Sequence, residues 1–513
     1  MSPQVAPIPA HPPGEGFSAL ISTTPEVRLP SLPVDTVGSR IHVEWEAQAP
    51  VTALGQLVFF CQFLAAGGLY SQWVAACPLR YTSPNAPQVK DLLGTWVLAS
   101  LSGAWRYAHV TALRGDRVNP QGLGMAKIVS EDSLRRAFQN ADAAALAHWQ
   151  TEALLKTYAP ALAQPWIADL DVTVKPIYGH QEGAQIGYNP HKPGRPSHAY
   201  HTVFLRTLRV ALDVEVQPGK AHAASHGLAN LWRLWERLTP AQRPWLVCGD
   251  AGYGNERLLA ECETRGQKYL FRQRSTKGVK QLVQLLERQG GWQPLHENWE
   301  GAEGQLQLTG WTCRRRTAVL RRKRTATASP GGVPLLERQG VEVLSEPGYE
   351  YVVLVTNLPE NLLTLAQLYR QRADVENAYD ELKNQWGWGG FTTRDLLRCQ
   401  VAARMLALVY NWWNLFVRCA QPDRAREALT SRPLLLHAVG RIIKSGGQTI
   451  LRLTSNHAQA SHAQDILSQL SLFLSGLMNA AEQLPPAERW QRIWQRILAP
   501  FHPPVAGWLA PSG

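Results

Sequence analysis

Apolar and polar positions are spaced differently in different stretches of the chain, and each spacing predicts its own kind of element. From Thr52 to about Tyr158 apolar residues recur at helical intervals, as in Val89, Leu92, Leu93, Trp96 and Val97, then Leu134, Phe138, Leu146 and Trp149. Ser130, Asp132 and Ser133 supply N-cap chemistry just ahead of Leu134. Short helices separated by Gly, Pro and Asn between Leu113 and Gly124 allow a helix-turn-helix, with a plain helical bundle the simpler expectation. At Ala168 the period becomes two. Ala168-Asp169-Leu170-Asp171-Val172-Thr173-Val174 predicts a strand with one apolar and one polar face. Tyr200 to Leu208 and Val210 to Val216 predict further strands, and Ser225 to Leu238 a helix with Trp232 and Trp235 toward the core. The almost wholly apolar Trp245-Leu246-Val247-Cys248-Gly249 predicts a strand buried on both faces. This order of strands and helix predicts a mixed α/β sheet.

Between Arg272 and Glu350 the texture changes. One helix (Val279, Leu282, Leu285, Leu286) is closed by Gly290-Gly291, and alternating strands follow around Leu306 and Leu308. Tyr349 to Thr356 returns as a strand. One strong helix is expected from about Thr364 to Gln385, then a Gly387-Trp388-Gly389-Gly390 turn and a long apolar helix, Asp395 to Arg418. The remainder reads as mostly helical, with Ile466, Leu467, Leu470 and Phe473 in phase. The organisation expected is therefore a Pro/Ser/Thr-rich flexible tail (1–45), a helical region (46–160), an α/β core in two parts (161–271 and 351–420), a β-rich insertion between them (272–350) and a helical C-terminal region (421–513).

Charge adds a partner to this picture. The 513 residues carry 52 Lys+Arg against 40 Asp+Glu, a net charge of +12, which favours a polyanion such as nucleic acid. Seven scattered cysteines with no C-x-x-C argue for free thiols and against a zinc module. No apolar window reaches the roughly 20 residues of a membrane span, and no secretory signal is evident, so a cytoplasmic location is expected.

Three carboxylates stand out. Asp171 lies on the polar face of a predicted strand, together with Asp169, and Asp250 lies at the exit of a buried strand. On a continuous helix at 100° per residue, Tyr369, Arg372, Glu376, Tyr379 and Lys383 fall within an arc of roughly 80°. An ordinary solvated helix face with an Arg372–Glu376 ion pair is the simpler reading of the last pattern, since amphipathic helices are common. Acids held together repel unless cations neutralise them, and Mg²⁺ suits hard oxygen ligands. Asp213 and Asp380 are spare carboxylates that spacing alone does not exclude.

The run Tyr369-x-x-Arg372-x-x-x-Glu376-x-x-x-x-x-x-Lys383 resembles the Y-R-E-K signature of DDE transposases encoded by bacterial insertion sequences. The resemblance extends through Asp171 to Gly183, Gly187-Tyr188-Asn189-Pro190, Gly194-Arg195-Pro196-Ser197, Gly249-Asp250-Ala251-Gly252-Tyr253 and Thr356-Asn357-Leu358. It covers about Leu113 to Phe416 and points to the branch with a long insertion before its third catalytic acid. It implies an RNase H-like mixed-sheet core, a catalytic and metal-binding triad of Asp171, Asp250 and Glu376, and two Mg²⁺ ions for which Mn²⁺ substitutes. It further implies phosphate contacts by Tyr369, Arg372 and Lys383, terminal inverted repeats read by the helical region, and a homodimer on double-stranded DNA near the nucleoid. The basic block Arg314-Arg315-Arg316 and Arg321-Arg322-Lys323-Arg324, set among Trp292, Trp299 and Trp311, suits a DNA strand or else a solvated basic hairpin. A catalytically silent repressor and a nuclease without strand transfer are the competing expectations.

Overall fold

Strand β1 (Ile167–Pro176) puts Ala168 and Leu170 into the core and Asp169, Asp171, Thr173 and Lys175 on the opposite face, as period two requires. A computed structural model describes residues 31–46, 49–81, 83–189, 192–221, 223–323, 344–346 and 348–501. β1 pairs antiparallel with β2 (Pro196–Leu205), which pairs antiparallel with β3 (Val210–Pro218). On its other side β1 runs parallel to β4 (Leu246–Gly249), and β4 parallel to β5 (Lys268–Arg272). Helix α1 (Ala223–Glu236) links β3 to β4, and Trp232 and Trp235 are buried in it as expected.

The strands predicted between 272 and 350 continue the same sheet rather than forming a separate one. β6 (Trp299–Leu306), β7 (Arg315–Lys323) and β8 (Tyr349–Thr356) are antiparallel neighbours, and β8 joins β5 through Leu354 opposite Arg272. With three short strands at its margins the sheet has 11 strands.

The expected helix from Thr364 to Gln385 is two helices, α2 (Leu362–Arg370) and α3 (Ala373–Gln385). The cause lies far away in sequence. In an unbroken helix the Leu368 carbonyl would accept from Arg372 N–H; instead the buried Arg206 Nη1 donates to it, and Arg372 N–H shortens its bond to Tyr369 O (3.0 Å). After α3, helix α4 (Leu396–Ala420) is buried along almost its whole length. A polar stripe at helical spacing on α4 meets the backbone of the β3 segment. Gln400 Nε2 and Arg404 Nε donate to Val214 O (2.7 and 2.9 Å), Asn411 exchanges two bonds with Ala211, and Asn414 Nδ2 donates to Leu208 O (2.7 Å). Among the described residues β3 pairs with no strand but β2, so these side chains take the place of a neighbour.

The helices between Leu57 and Tyr158, α4 and the C-terminal helices share one hydrophobic core. Tryptophan joins them: Trp73 stacks on Trp149 (5.4 Å), Trp412 Nε1 donates to Thr157 Oγ1 (3.0 Å), and Trp494 Nε1 donates to Thr157 O (3.1 Å). Ser130 caps its helix as expected, accepting from Ser133 N (3.2 Å). Within 1–45, residues Leu32–Asp35 and Arg40–Val43 form a hairpin, while 1–30 lie outside the described residues. The C-terminal region is mostly helical, with helices Ala428–Leu435, Ala460–Met478 and Pro486–Leu498, and it also holds a hairpin, Val439–Ser445 with Gln448–Thr454, that pairs with Val51–Thr52. Among the described residues no single helix is long and apolar enough to cross a membrane.

Candidate active site

The sheet register brings two of the three acids together. β1 and β4 are paired up to Leu170 opposite Gly249, so the next residues, Asp171 still within β1 and Asp250 in the turn that ends β4, follow directly from neighbouring positions of adjacent strands. Gly249 has to be small, because a Cβ there would stand 3.0 Å from the ring of Tyr253, which is fully buried under the turn. Asp250 Oδ1 accepts from Gly252 N (2.9 Å) and so fixes its own turn. Asp171 Oδ1 accepts from Val172 N (2.7 Å).

The third acid arrives through an arginine chain. Asp169, buried beside Asp171 on the same face, is held bidentately by Arg206 (2.5 and 2.8 Å). That pair orients the guanidinium that interrupts α2 and α3. The interruption starts α3 at Arg372 and puts Glu376 in its first turn, where the helix N-terminus favours negative charge. Arg372, 6% exposed, lies between the acids, with Nη2 3.0 Å from Asp171 Oδ2 and Nη1 donating to Glu376 Oε1 (2.8 Å). The Asp171 contact is an ion pair outside hydrogen-bond geometry, so Nη2 and Nε of Arg372 have no hydrogen-bond acceptor.

Electrostatics ties the group together. Burial pushes the Asp171 carboxyl up to about 7; Arg372 opposes this, and the charges of Asp250 and Glu376 reinforce it. Burial works against the Arg372 charge, but Asp171, Tyr369, Asp250 and Asp169 outweigh it and hold the guanidinium charged. The hydroxyls of Tyr253 and Tyr379 are buried without a partner, and burial and then the Asp171 charge keep both phenols protonated. Tyr369, half-buried on α2, has its phenol raised to about 12 by burial, against the pull of Arg372. Lys383 lies about two turns beyond Glu376 on α3, its charge disfavoured by desolvation and favoured by Asp171.

Among the described residues no three His, Cys, Asp or Glu side chains stand close enough together to hold a metal ion. The donor chemistry nonetheless suits a hard divalent cation: two carboxylates on adjacent strands, a third joined through Arg372, and an Asp171 whose charge burial opposes. The guanidinium supplies part of the positive charge such a cluster requires. The spare carboxylates have other partners, since Asp213 pairs with Arg404 (3.0 Å) and Asp380 accepts from Asn384 (2.7 Å).

The basic block of the insertion lies apart from these acids and is matched by carboxylates. Arg315, 3% exposed, pairs with Glu256 and Glu263 (2.5 and 2.6 Å), and Arg316 with Glu303 (2.8 Å). Arg321 pairs with Glu287 and Glu300 (2.6 and 2.7 Å), and Arg322 with Glu350. Each tryptophan carries an arginine on its face: Trp292 carries Arg321 (4.0 Å), Trp299 carries Arg322 (5.1 Å) and Trp311 carries Arg315 (5.1 Å). Arg314 and Lys323 are exposed, and Arg324 lies outside the described residues. Sequence reasoning missed Asp169–Arg206 as the pair behind the helix break; the available signal was a second aspartate on the polar face of β1, which then needs a cation.

Residues 48–474 match the family model for transposase DDE domain group 1, and the chain belongs to that family of DDE transposases. A helical and mixed-sheet architecture of this kind is consistent with the fold of such enzymes. Among solved structures the chain is similar to a piggyBac transposase in a synaptic complex with hairpin DNA, at 10% identity and a TM-score of 0.38, covering 88% of each chain. No curated protein matches the chain.

Proposed function

We propose that this chain is the transposase of a bacterial insertion sequence, from the branch with the Y-R-E-K signature, and that Asp171, Asp250 and Glu376 are its catalytic acids. The observation that carries the reading is the β1–β4 register, which sets Asp171 beside Asp250, with Arg372 bridging Asp171 to Glu376. The sheet order β3-β2-β1-β4-β5, antiparallel through β1 and parallel from β1 to β5, supports an RNase H-like core. Residues 272–350 are then an insertion that widens its sheet.

In this reading Asp171, Asp250 and Glu376 would hold two Mg²⁺ ions, replaceable by Mn²⁺, which would supply activation of the attacking water and stabilisation of the leaving oxygen. The protein's own groups do the rest. Arg372 orients Glu376 and Asp171, and the buried Tyr253 and Tyr379 rings limit water around Asp171. Lys383 and Tyr369 face the phosphodiester, Lys383 as a point charge. The substrate is double-stranded DNA: terminal inverted repeats read by the helical region 46–160, then target DNA. Cutting two ends together calls for a homodimer on DNA, with 421–513 as its candidate interface, acting at the nucleoid. Of the insertion's cations, Arg314 and Lys323 are exposed and available to DNA.

The test is a duplex carrying the end of the element. Mg²⁺-dependent cleavage is expected from the wild-type chain and should vanish in Asp250→Ala while binding persists. Binding without cleavage in the wild type would make the protein a repressor of transposition. Cleavage without strand-transfer products would make it a nuclease.

A further inference from the structure

Two hollows open in series beyond Asp171. The first, about 570 Å³, follows the polar face of β1 past Thr173 and is bounded by Trp105, Arg106, Lys175, Tyr178, Lys383 and Trp388. The second, about 390 Å³, is lined by Arg135, Arg136, Gln181, Arg394 and Arg398. The same two segments build both. The loop after β1 gives Pro176 and Tyr178 to the first and Gln181 to the second, and the loop after α3 gives Gly387 to Gly390 to the first and Thr392 to Arg394 to the second. Phe391, between them, is buried against Trp96 (4.7 Å) and Tyr107 (5.3 Å), so the join has a packed apolar floor.

Positive charge along this strip is in excess. The first hollow has three cations and no carboxylate in its lining. Lys175 there is 8% exposed, and its Nζ has no hydrogen-bond partner, with only the Tyr200 ring beneath it at 5.9 Å. In the second, Asp132 answers both Arg135 (2.6 Å) and Arg136 (3.0 Å), Asp395 answers Arg398, and the exposed Arg394 makes no ion pair among the described residues. An aromatic ring stands at the rim. Gly390 allows the approach, because a Cβ there would lie 1.5 Å from the Trp105 carbonyl, and Gly387 (φ +69°) turns the chain against Ala104. The Gly-Trp-Gly-Gly turn thus clamps the backbone of Trp105 and leaves its ring 53% exposed.

A flexible polyanion with flat bases matches this strip of cations and indole. We propose that it is the path of the DNA strand flanking the scissile phosphodiester, with phosphates over Lys383, Lys175 and Arg106, a base against Trp105, and the backbone continuing into the four arginines. The assignment rests on the transposase reading and puts the main DNA contact here, not on the paired arginines of β7.

The test is anisotropy of a fluorescein-labelled duplex of about 30 bp with a short single-stranded fork, in EDTA, across a salt series. The double variant Arg136→Ser, Arg394→Ser changes two exposed residues. It should bind about tenfold more weakly near 0.1 M salt, with the log–log salt slope reduced by nearly two. Trp105→Ala should weaken binding to the fork more than to the blunt duplex. Arg314→Ser, Lys323→Ser is the comparison, expected to cost less than about twofold. Unchanged melting temperatures establish that each variant is folded. Wild-type affinity and slope in the double variant, or a larger loss in the insertion variant, overturns the path. Cleavage is read separately in Mg²⁺: an active wild type with an insensitive double variant sinks the path alone, and strip-dependent binding without cleavage sinks the enzymatic reading alone.

Discussion

Four arginines on β7 (Arg315, Arg316, Arg321, Arg322) and four around the second hollow (Arg135, Arg136, Arg394, Arg398) are equally basic as strings of letters, yet they differ as surfaces. Those of β7 face six glutamates, Glu256, Glu263, Glu287, Glu300, Glu303 and Glu350, and three of them cover tryptophan rings. Among the described residues those of the hollow face two aspartates, and Arg394 faces none. The first set is cross-linking of a sheet; the second retains field for a partner. A run of basic residues therefore says little about where a protein is positive, because the counter-charges sit on other elements of the fold.

The largest effect is expected at a buried arginine. Arg206→Ala removes both hydrogen bonds of the wholly buried Asp169, leaving only the more distant Arg372 (3.9 Å), and should cost about 3–5 kcal/mol in chemical denaturation. It should also abolish cleavage in protein that remains folded, because α2 and α3 lose the contact that separates them. A smaller loss, about 3 kcal/mol, is expected for Arg315→Ala, which leaves Glu256 and Glu263 without their cation. Glu263 is held below its usual range, chiefly by Arg315, so its contribution is present above pH 4.5 and is lost as pH falls through the lowered value. Acid melts of wild type and Arg315→Ala should therefore converge. If Arg315→Ala were neutral for stability but severe for DNA binding, the two regions would have exchanged roles.

Lys175→Met should act in the opposite sense, raising stability by about 1–2 kcal/mol at pH 7 while weakening DNA binding. Desolvation pulls Lys175 down to about 8 from 10.5; among its neighbours Cys399 favours the charge, and Tyr200 lies beneath it. A depressed lysine favours the folded state above its unfolded value of 10.5, and that contribution is lost as pH falls through 8. The stabilising effect of Lys175→Met should thus fade between pH 8 and 10.5. The smallest effect expected is on wild-type affinity for the forked duplex, which should drop a few-fold between pH 7 and 9 as the Lys175 charge is lost, and much less in Lys175→Met.

Local pattern revealed the elements of the site but not their junctions. Alternation located β1, and an apolar run ending at Gly249 located β4, because both signals lie within a few consecutive residues. The break between α2 and α3 was illegible, since neither Gly nor Pro marks it and its cause is Arg206 on a different element. That also undid the single-arc picture of Tyr369 with Glu376. The glutamate partners of β7 are scattered from Glu256 to Glu350, so no window around the arginines contains them. The C-terminal hairpin is different. The apolar pairs Ile442-Ile443 and Ile450-Leu451 flank Gly446-Gly447, whose φ values of +57° and +76° make the tight turn, and the Gly-Gly signal was in plain sight.

The stripe of Gln400, Arg404, Asn411 and Asn414 has an outcome for assembly. A margin whose peptide groups are already saturated by amides and a guanidinium offers nothing for β-augmentation, so a second copy arriving on that flank must be recognised by shape and side chains. Replacing those four residues with aliphatic ones would leave the buried peptide groups of Leu208, Ala211 and Val214 under α4 without partners.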